Sequence, residues 1–562
     1  MDLFQTLFTP DDGLSYVGRA AYQSLKTTFY FHRKHTWNKT AGKVQGLYQT
    51  PPQPWEMKPG TNHSAYITEK MLDVISRAEK FVDVTSLGPP DGEFLASMQN
   101  ALLKAAVNAA ARNEPVVVRF IFGNIVGMPL NCKSIAYELT KDWCDGYQDF
   151  IKVYVGAFRK GLTWNHSKII AVDSEYLFTG GHNLWDQHYL QYNPVHDLSF
   201  ELSGRIAEEG HAFAESMWRY IIRKEKTKKF MRFVPTCIPC ATRSRVGLGH
   251  WPSGIDKYPP SYSRPKQPWM NFGPSAMMNA PDDLTLISLG RLGNCPLTDK
   301  VFSLGRSTSN VADIGIAAML KAATKSIKMS LQDLGPLAVP YPGRGVVSIP
   351  GGEWPKIYLS AIAHAIWNNL DLQVEIVLSN PNAVPSNVSP LVANYGNGWS
   401  REQVCRKIVK AIRAERTEAS TRELQQCVQR VRVAFIRLAT SDGAWEDGAK
   451  IGNHAKFFCI DDICYYIGSQ NLYIANLAEW GVVVDSETAT RNMLGDYWRR
   501  LWDESFDERT AVDMHELLEH VLRRAGKVEE EEEDPSEIPP LPVGTFFPTQ
   551  TLPDIVDLAL AH

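Results

Sequence analysis

The chain has no run approaching the roughly 18 consecutive apolar residues of a membrane-spanning helix. Its start, Met1-Asp2-Leu3-Phe4-Gln5, lacks the basic region, apolar stretch and small-residue cleavage site of a secretory signal. The expectation is a cytoplasmic protein, at most peripheral at membranes. Excess charge is also missing: 59 Lys and Arg against 62 Asp and Glu leave a formal charge of -3. That counts against a broad, nonspecific nucleic-acid binder, whose footprint is a basic surface. The nine cysteines are scattered and odd in number, which suits reduced thiols better than a disulfide framework. Cys237 and Cys240 form a lone CxxC with no second pair, so no zinc or redox site is expected. With 562 residues and 44% apolar content, the chain has room for about two to four ordinary globular domains.

What the chain does have is a sparse pattern written twice in one register. His166, Lys168, Asp173, Gly180 and Asn183 recur, each 288 positions later, as His454, Lys456, Asp461, Gly468 and Asn471. A single His-x-Lys would be noise; five identities at one offset are hard to obtain by chance. Two copies of one His, Lys and Asn set imply two halves of one active site.

Periodicity places these motifs in a repeated α/β frame. In the first half, apolar spacing predicts helices over 67–78 and 93–111, with extended runs at 81–85, 116–122, 150–155, the His-x-Lys segment and 176–179. The second half repeats the order: helices over 312–324 and 355–370, extended runs at 326–331, 374–378 and 431–436, then the second motif. Strands alternating with helices predict two similar α/β sandwich domains with the active site between them. The expected divisions are an N-terminal extension (1–60), a first domain (61–222), a connecting segment (223–300), a second domain (301–506) and a C-terminal helix with an acidic, disordered tail (507–562).

Phosphodiester cleavage is served by two histidines in different protonation states, one attacking phosphorus and one protonating the departing alkoxide. Lys168 and Lys456 would supply cationic donors to the nonbridging oxygens, and Asn183 and Asn471 neutral ones. No metal or other cofactor is required for this chemistry. On a strand, His and Lys two apart share a face. Each imidazole needs a carboxylate on its other ring nitrogen to fix tautomer and orientation. Asp197 and Glu479 are the candidates, because each begins an extended run after the Gly-x-x-Asn turn. Asp485 keeps the 288 offset from Asp197 but precedes Ser486-Glu487-Thr488 and is expected to cap a helix. Asp173 and Asp461 are expected to bind the local scaffold, and Gly180, Gly181, Gly468 and Ser469 to form the turns.

The pattern His-x-Lys-x4-Asp followed by Gly-x-x-Asn resembles the phospholipase D superfamily, and both copies match it. Trp164-Asn165-His166-Ser167-Lys168, Pro194-Val195-His196-Asp197 and Ile467-Gly468-Ser469-Gln470-Asn471-Leu472-Tyr473 are similar to the monomeric actinomycete-type phospholipases D. The likeness spans about 60 to 505. It implies hydrolysis or transfer of a glycerophospholipid headgroup at a membrane surface, by a monomer, through a phosphohistidine and without a required metal. It also implies His166 as nucleophile and His454 as general acid. Those enzymes are typically secreted, and the missing signal departs from that pattern. A nuclease of the same superfamily is the alternative, opposed by the acidic balance and the aromatic, Pro-rich insertions. Trp185 and Tyr473 follow the two asparagines and could face a quaternary ammonium headgroup, with packing at the domain seam as the competing reading. Tyr395 and Trp399, in a Gly-rich loop, fit a lip that meets lipid, or an ordinary exposed turn.

Overall fold

A computed structural model describes residues 13–525, apart from 30–35, 53–65, 126–128, 143–145, 161–162, 191–192, 232–245, 252–255, 266–282, 294–310, 337, 342–344, 349–353, 386–394, 396–398, 439–442, 446 and 473–476. The acidic tail and Tyr473 therefore lie outside the described residues.

Two half-sheets of the same design join into one 16-stranded sheet. In the first, Phe81–Ser86, Val116–Gly123 and Ile151–Lys160 run parallel. Ile169–Val172, Tyr176–Gly180 and Asp197–Ser203 then continue antiparallel from Phe81–Ser86. In the second, Ser326–Leu331, Gln373–Leu378 and Val431–Phe435 are the parallel trio. Lys456–Ile460, Cys464–Gly468 and Glu479–Asp485 are its antiparallel trio. Parallel strands require crossovers, and helices Gly92–Arg112 and Lys356–Asn368 supply them.

The expected boundaries part from this architecture at the join. Trp37–Thr50, expected in an extension outside the domains, lies at the centre of the sheet. Its first part pairs with Leu284–Arg291 and its second with Asp197–Ser203, with a register shift between Val44 and Gly46. Leu284–Arg291, expected within the connector, pairs in turn with Glu479–Asp485. The polar run Trp37-Asn38-Lys39-Thr40-Ala41-Gly42-Lys43 carries no clean alternation, because its strand is positioned by neighbours on both edges rather than by one apolar face. Helix Tyr16–Phe29 likewise buries Val17, Ala21, Tyr22 and Leu25 in the core of the second half.

Each half has its own apolar core, and a third cluster bridges them. It brings Leu198, Phe200 and Trp218 of the first half together with Phe457, Ile467, Trp480 and Trp498 of the second. Three fully buried tryptophans at this seam fix the halves against each other, since densely packed interiors leave little room to slide. No helix among the described residues is long and apolar enough to cross a membrane.

Candidate active site

Each histidine reaches the seam just before an antiparallel strand rather than inside one. Ile169–Val172 begins after Lys168, and Lys456 is the first residue of its strand. The preceding asparagines shape the entry: Asn165 Oδ1 accepts from the Ser167 amide (3.1 Å), and Asn453 Oδ1 from the Ala455 amide (3.0 Å). Asn165 and Asn453 are themselves 288 apart, a further identity of the repeat.

Backbone pairing then crosses the seam twice. His166 N donates to Ala478 O (2.8 Å) and Ala478 N to Trp164 O (3.0 Å). In mirror fashion, His196 N donates to Gly452 O (2.8 Å) and His454 N to His196 O (2.7 Å). Ala478 immediately precedes Glu479, and His196 precedes Asp197. Each motif is thereby tied to the carboxylate-bearing strand of the opposite half.

The side chains follow that exchange. Glu479 Oε2 lies 2.9 Å from His166 Nδ1, and Asp197 Oδ2 lies 2.7 Å from His454 Nδ1. With Nδ1 occupied, Nε2 is the nitrogen left for chemistry. The two ring centroids are 6.3 Å apart, with planes at 79°. Lys168 Nζ donates to His166 O (2.6 Å), and Lys456 Nζ makes the matching bond to His454 O. Asn183 and Asn471 are buried, and the Asn183 side-chain oxygen has no hydrogen-bond partner among the described residues.

The turn residues make room for this arrangement. A Cβ on Gly181 would stand 1.9 Å from Asp197 Oδ1, and one on Gly468 would stand 2.5 Å from Gly481 Cα. Gly180 is equally confined by Leu198 and Ser199. Ser469, at the register of Gly181, instead donates its hydroxyl to Glu479 Oε2 (2.6 Å). Asp173 and Asp461 face away from the site, each capping the amides that open the first parallel strand of its half. Asp173 accepts from the amides of Glu79, Lys80 and Phe81. Asp461 accepts from those of Thr324, Lys325 and Ser326.

The residues expected around the catalytic set part ways. Trp399 is no exposed lip: it is buried in the core of the second half, its Nε1 donating to Pro336 O (3.0 Å) and its ring 5.0 Å from Trp354. Burial of this large ring is favourable enough to override the local glycine content. Tyr395 is buried too, but beside the site, its ring 5.3 Å from His454 and its hydroxyl 2.7 Å from His188 Nδ1. Trp185 is half-buried near His188 and donates to Pro89 O. Asp485 caps no helix; it accepts from the Ser15 amide and hydroxyl, and Ser486 is the cap instead. No sequence pattern points to Tyr189, whose hydroxyl donates to Asp197 Oδ2 (2.9 Å), or to Arg291 behind Glu479.

Burial dominates the electrostatics. It lowers the His166 pKa to about 4, with Glu479 opposing the shift and Lys168 adding to it. Burial and the two lysines push His454 well below the ordinary imidazole value. Lys456 is lowered to about 8 by burial against the pull of Asp197 and Glu479, and Lys168 is lowered strongly by burial and by Lys456. Burial works against the Glu479 charge, but His166 and Arg291 outweigh it and hold the carboxyl below its usual range. His182, His188 and His196 are also lowered to about 4 by burial.

These depressed imidazoles set an acid limit. Between about 4 and the ordinary value of 6.5, the unfolded chain binds more protons than the folded one, so stability is complete above that window and is lost as pH falls through it. Denaturant unfolding is expected to lose several kcal/mol on going from pH 7 to pH 4.5. A stability that is flat or rising over that range would contradict the buried, neutral imidazoles.

No protein-family model matches the chain. A phospholipase D of Streptomyces antibioticus is 26% identical over 516 residues, covering 84% of this chain and 85% of that protein. Among solved structures, a phosphatidylserine synthase of Haemophilus influenzae overlaps 91% of this chain and 98% of its own at 11% identity, with a TM-score of 0.46. A phospholipase D family member of Salmonella typhimurium, Nuc, overlaps 35% and 90% at 13% identity, with a TM-score of 0.19. Neither superposition is close enough to bear on the reaction. The paired motifs and this Streptomyces relative make the chain similar to the phospholipase D superfamily, and support phosphodiesterase chemistry at the site.

Proposed function

We propose that the chain is a phospholipase D that cleaves the headgroup phosphodiester of glycerophospholipids through a phosphohistidine on His166, with transfer to alcohols as a second outcome. The observation that carries this reading is the facing pair of imidazoles, each with Nδ1 tied to a carboxylate of the other half and flanked by a lysine. His166 Nε2 attacks phosphorus, the bond from phosphorus to the headgroup oxygen breaks, and His454 gives its Nε2 proton to the leaving alkoxide. His454 then takes a proton from water, whose oxygen attacks phosphorus and expels His166. The products are phosphatidic acid and the free headgroup alcohol.

On its own, His454 binds a proton weakly, because burial and two lysines oppose it. A phosphodiester anion between the rings offsets those lysines and raises its proton affinity. Lys168, Lys456, Asn183 and Asn471 hold the nonbridging oxygens as charge develops. Trp185 and Tyr395 lie on the His188 side, where a headgroup would emerge. One chain carries both motifs, so the enzyme acts as a monomer on lipid at a membrane surface. The relative's printed name supports lipid over nucleic acid.

Vesicles of phosphatidylcholine and phosphatidylethanolamine with added primary alcohol provide the test. Phosphatidic acid together with the phosphatidyl alcohol is the expected product set. Cleavage of single-stranded DNA or RNA, with intact lipid, would replace this reading by the nuclease one.

A further inference from the structure

The repeat breaks down at the two carboxylates. At the 288 offset Gly181 is matched by Ser469, and His182 by Gln470. Asp197 accepts from the Tyr189 hydroxyl and from the Leu198 amide (2.8 Å), and among the described residues no guanidinium stands against it. Glu479 is different. Its Oε2 takes His166 and Ser469, while Oε1 faces Arg291 Nη2 at 3.7 Å. Both of those facing atoms are buried and without a hydrogen bond among the described residues.

Arg291 sits opposite Glu479 in the strand register, at 1% exposure. From behind it is gripped by Asp313, at 2.9 and 3.2 Å, and by Leu477 O at 3.1 Å. Asp313 also accepts from the Tyr358 hydroxyl and from Gln470 Nε2 (2.7 Å). His182, which occupies the corresponding place in the first half, bonds to Thr50 and Ser199 instead. The second half alone therefore brings a cation up to its catalytic carboxylate.

We propose that Arg291 is a positioning residue: by sharing the charge of Glu479 it keeps His166 the unprotonated, attacking partner. The inference rests on the two-histidine reading above. A carboxylate divided between an imidazole and a guanidinium stabilises an imidazolium less than one devoted to the imidazole. Around this point His166 and Glu479 also face Lys168, Lys456 and His454, with Asp197 beyond; behind Arg291 stand Asp313, Tyr358 and Tyr466. Asp313 partly cancels the guanidinium, so the two residues move His166 in opposite directions.

That opposition supplies a test that a merely structural role would fail. The pH profile of kcat/KM on phosphatidylcholine vesicles is measured for the wild type, Asp313→Asn and the double variant Arg291→Gln/Asp313→Asn. Imidazole 15N titration, with His166→Gln to assign the signal, reads the same group without turnover. Asp313→Asn is expected to move the His166 titration and the acid limb to lower pH. The double variant is expected to move both to higher pH, by about one unit. Shifts of the same sign, or unmoved limbs in folded variants, overturn the role of Arg291. If the double variant does not fold, Asp313→Asn decides alone, and an unmoved or upward titration overturns the proposal. If wild-type turnover on lipid has no dependence on His166, it is the two-histidine reading that falls.

Discussion

His166→Ala is expected to reduce phosphodiester turnover by roughly 10⁴-fold or more, leaving only what binding and the lysines contribute. No neighbouring group replaces it. His454 stands with its ring 6.3 Å away and its Nδ1 held by Asp197. The loss should appear in kcat and not as loss of fold, because Glu479 keeps the Ser469 hydroxyl and Arg291 after the ring is removed. Thermal unfolding beside a headgroup-release assay separates the two effects. A variant with wild-type rates on lipid would remove His166 from the nucleophile's role.

Glu479→Gln is expected to cost about as much, on the order of 10⁴-fold in kcat, although it removes no reacting atom. The Glu479 carboxylate accepts from Nδ1–H and so leaves the Nε2 lone pair of His166 free to attack. An amide in its place can donate to Nδ1 instead, which moves the ring proton to Nε2 and blocks attack. Because Glu479 belongs to the second half and His166 to the first, this variant also measures the exchange across the seam. Asp197→Asn should act on His454 differently, by removing the charge that stabilises its imidazolium, and so impair departure of the headgroup. A residual rate near wild type in Glu479→Gln, with fold intact, would mean that the crossed pairs are ornamental.

The motif was legible because phosphate chemistry repeats its residue types at fixed spacing, and because duplication wrote them twice. The same duplication also carried Asn165 and Asn453, whose role in shaping the entry to each motif has no signature of its own in the sequence. Which carboxylate serves which histidine was not legible. That pairing depends on two backbone bridges between strands separated by hundreds of residues, and local pattern carries no trace of them. The same holds for Trp37–Thr50 and Leu284–Arg291, whose places at the centre of the sheet come from long-range pairing and not from an alternating apolar face. Trp399 shows the opposite failure: a Gly-rich flank suggested exposure, whereas Pro336 and Trp354 provide a buried partner for both its nitrogen and its ring.

The acid limit and the two variants converge on one geometry. Burial and lysines hold both imidazoles neutral, and the crossed carboxylates aim both Nε2 atoms into the seam. Each half supplies the carboxylate beside the other's histidine, so neither is expected to act alone.

The most direct measurement uses His454→Ala with a phosphatidyl p-nitrophenol substrate, whose leaving group needs no proton donor. The expected result is a burst of one nitrophenolate per enzyme and, by mass spectrometry of peptides under alkaline conditions, a phosphatidyl adduct on His166. Steady release without an adduct, or an adduct on any other residue, would contradict it.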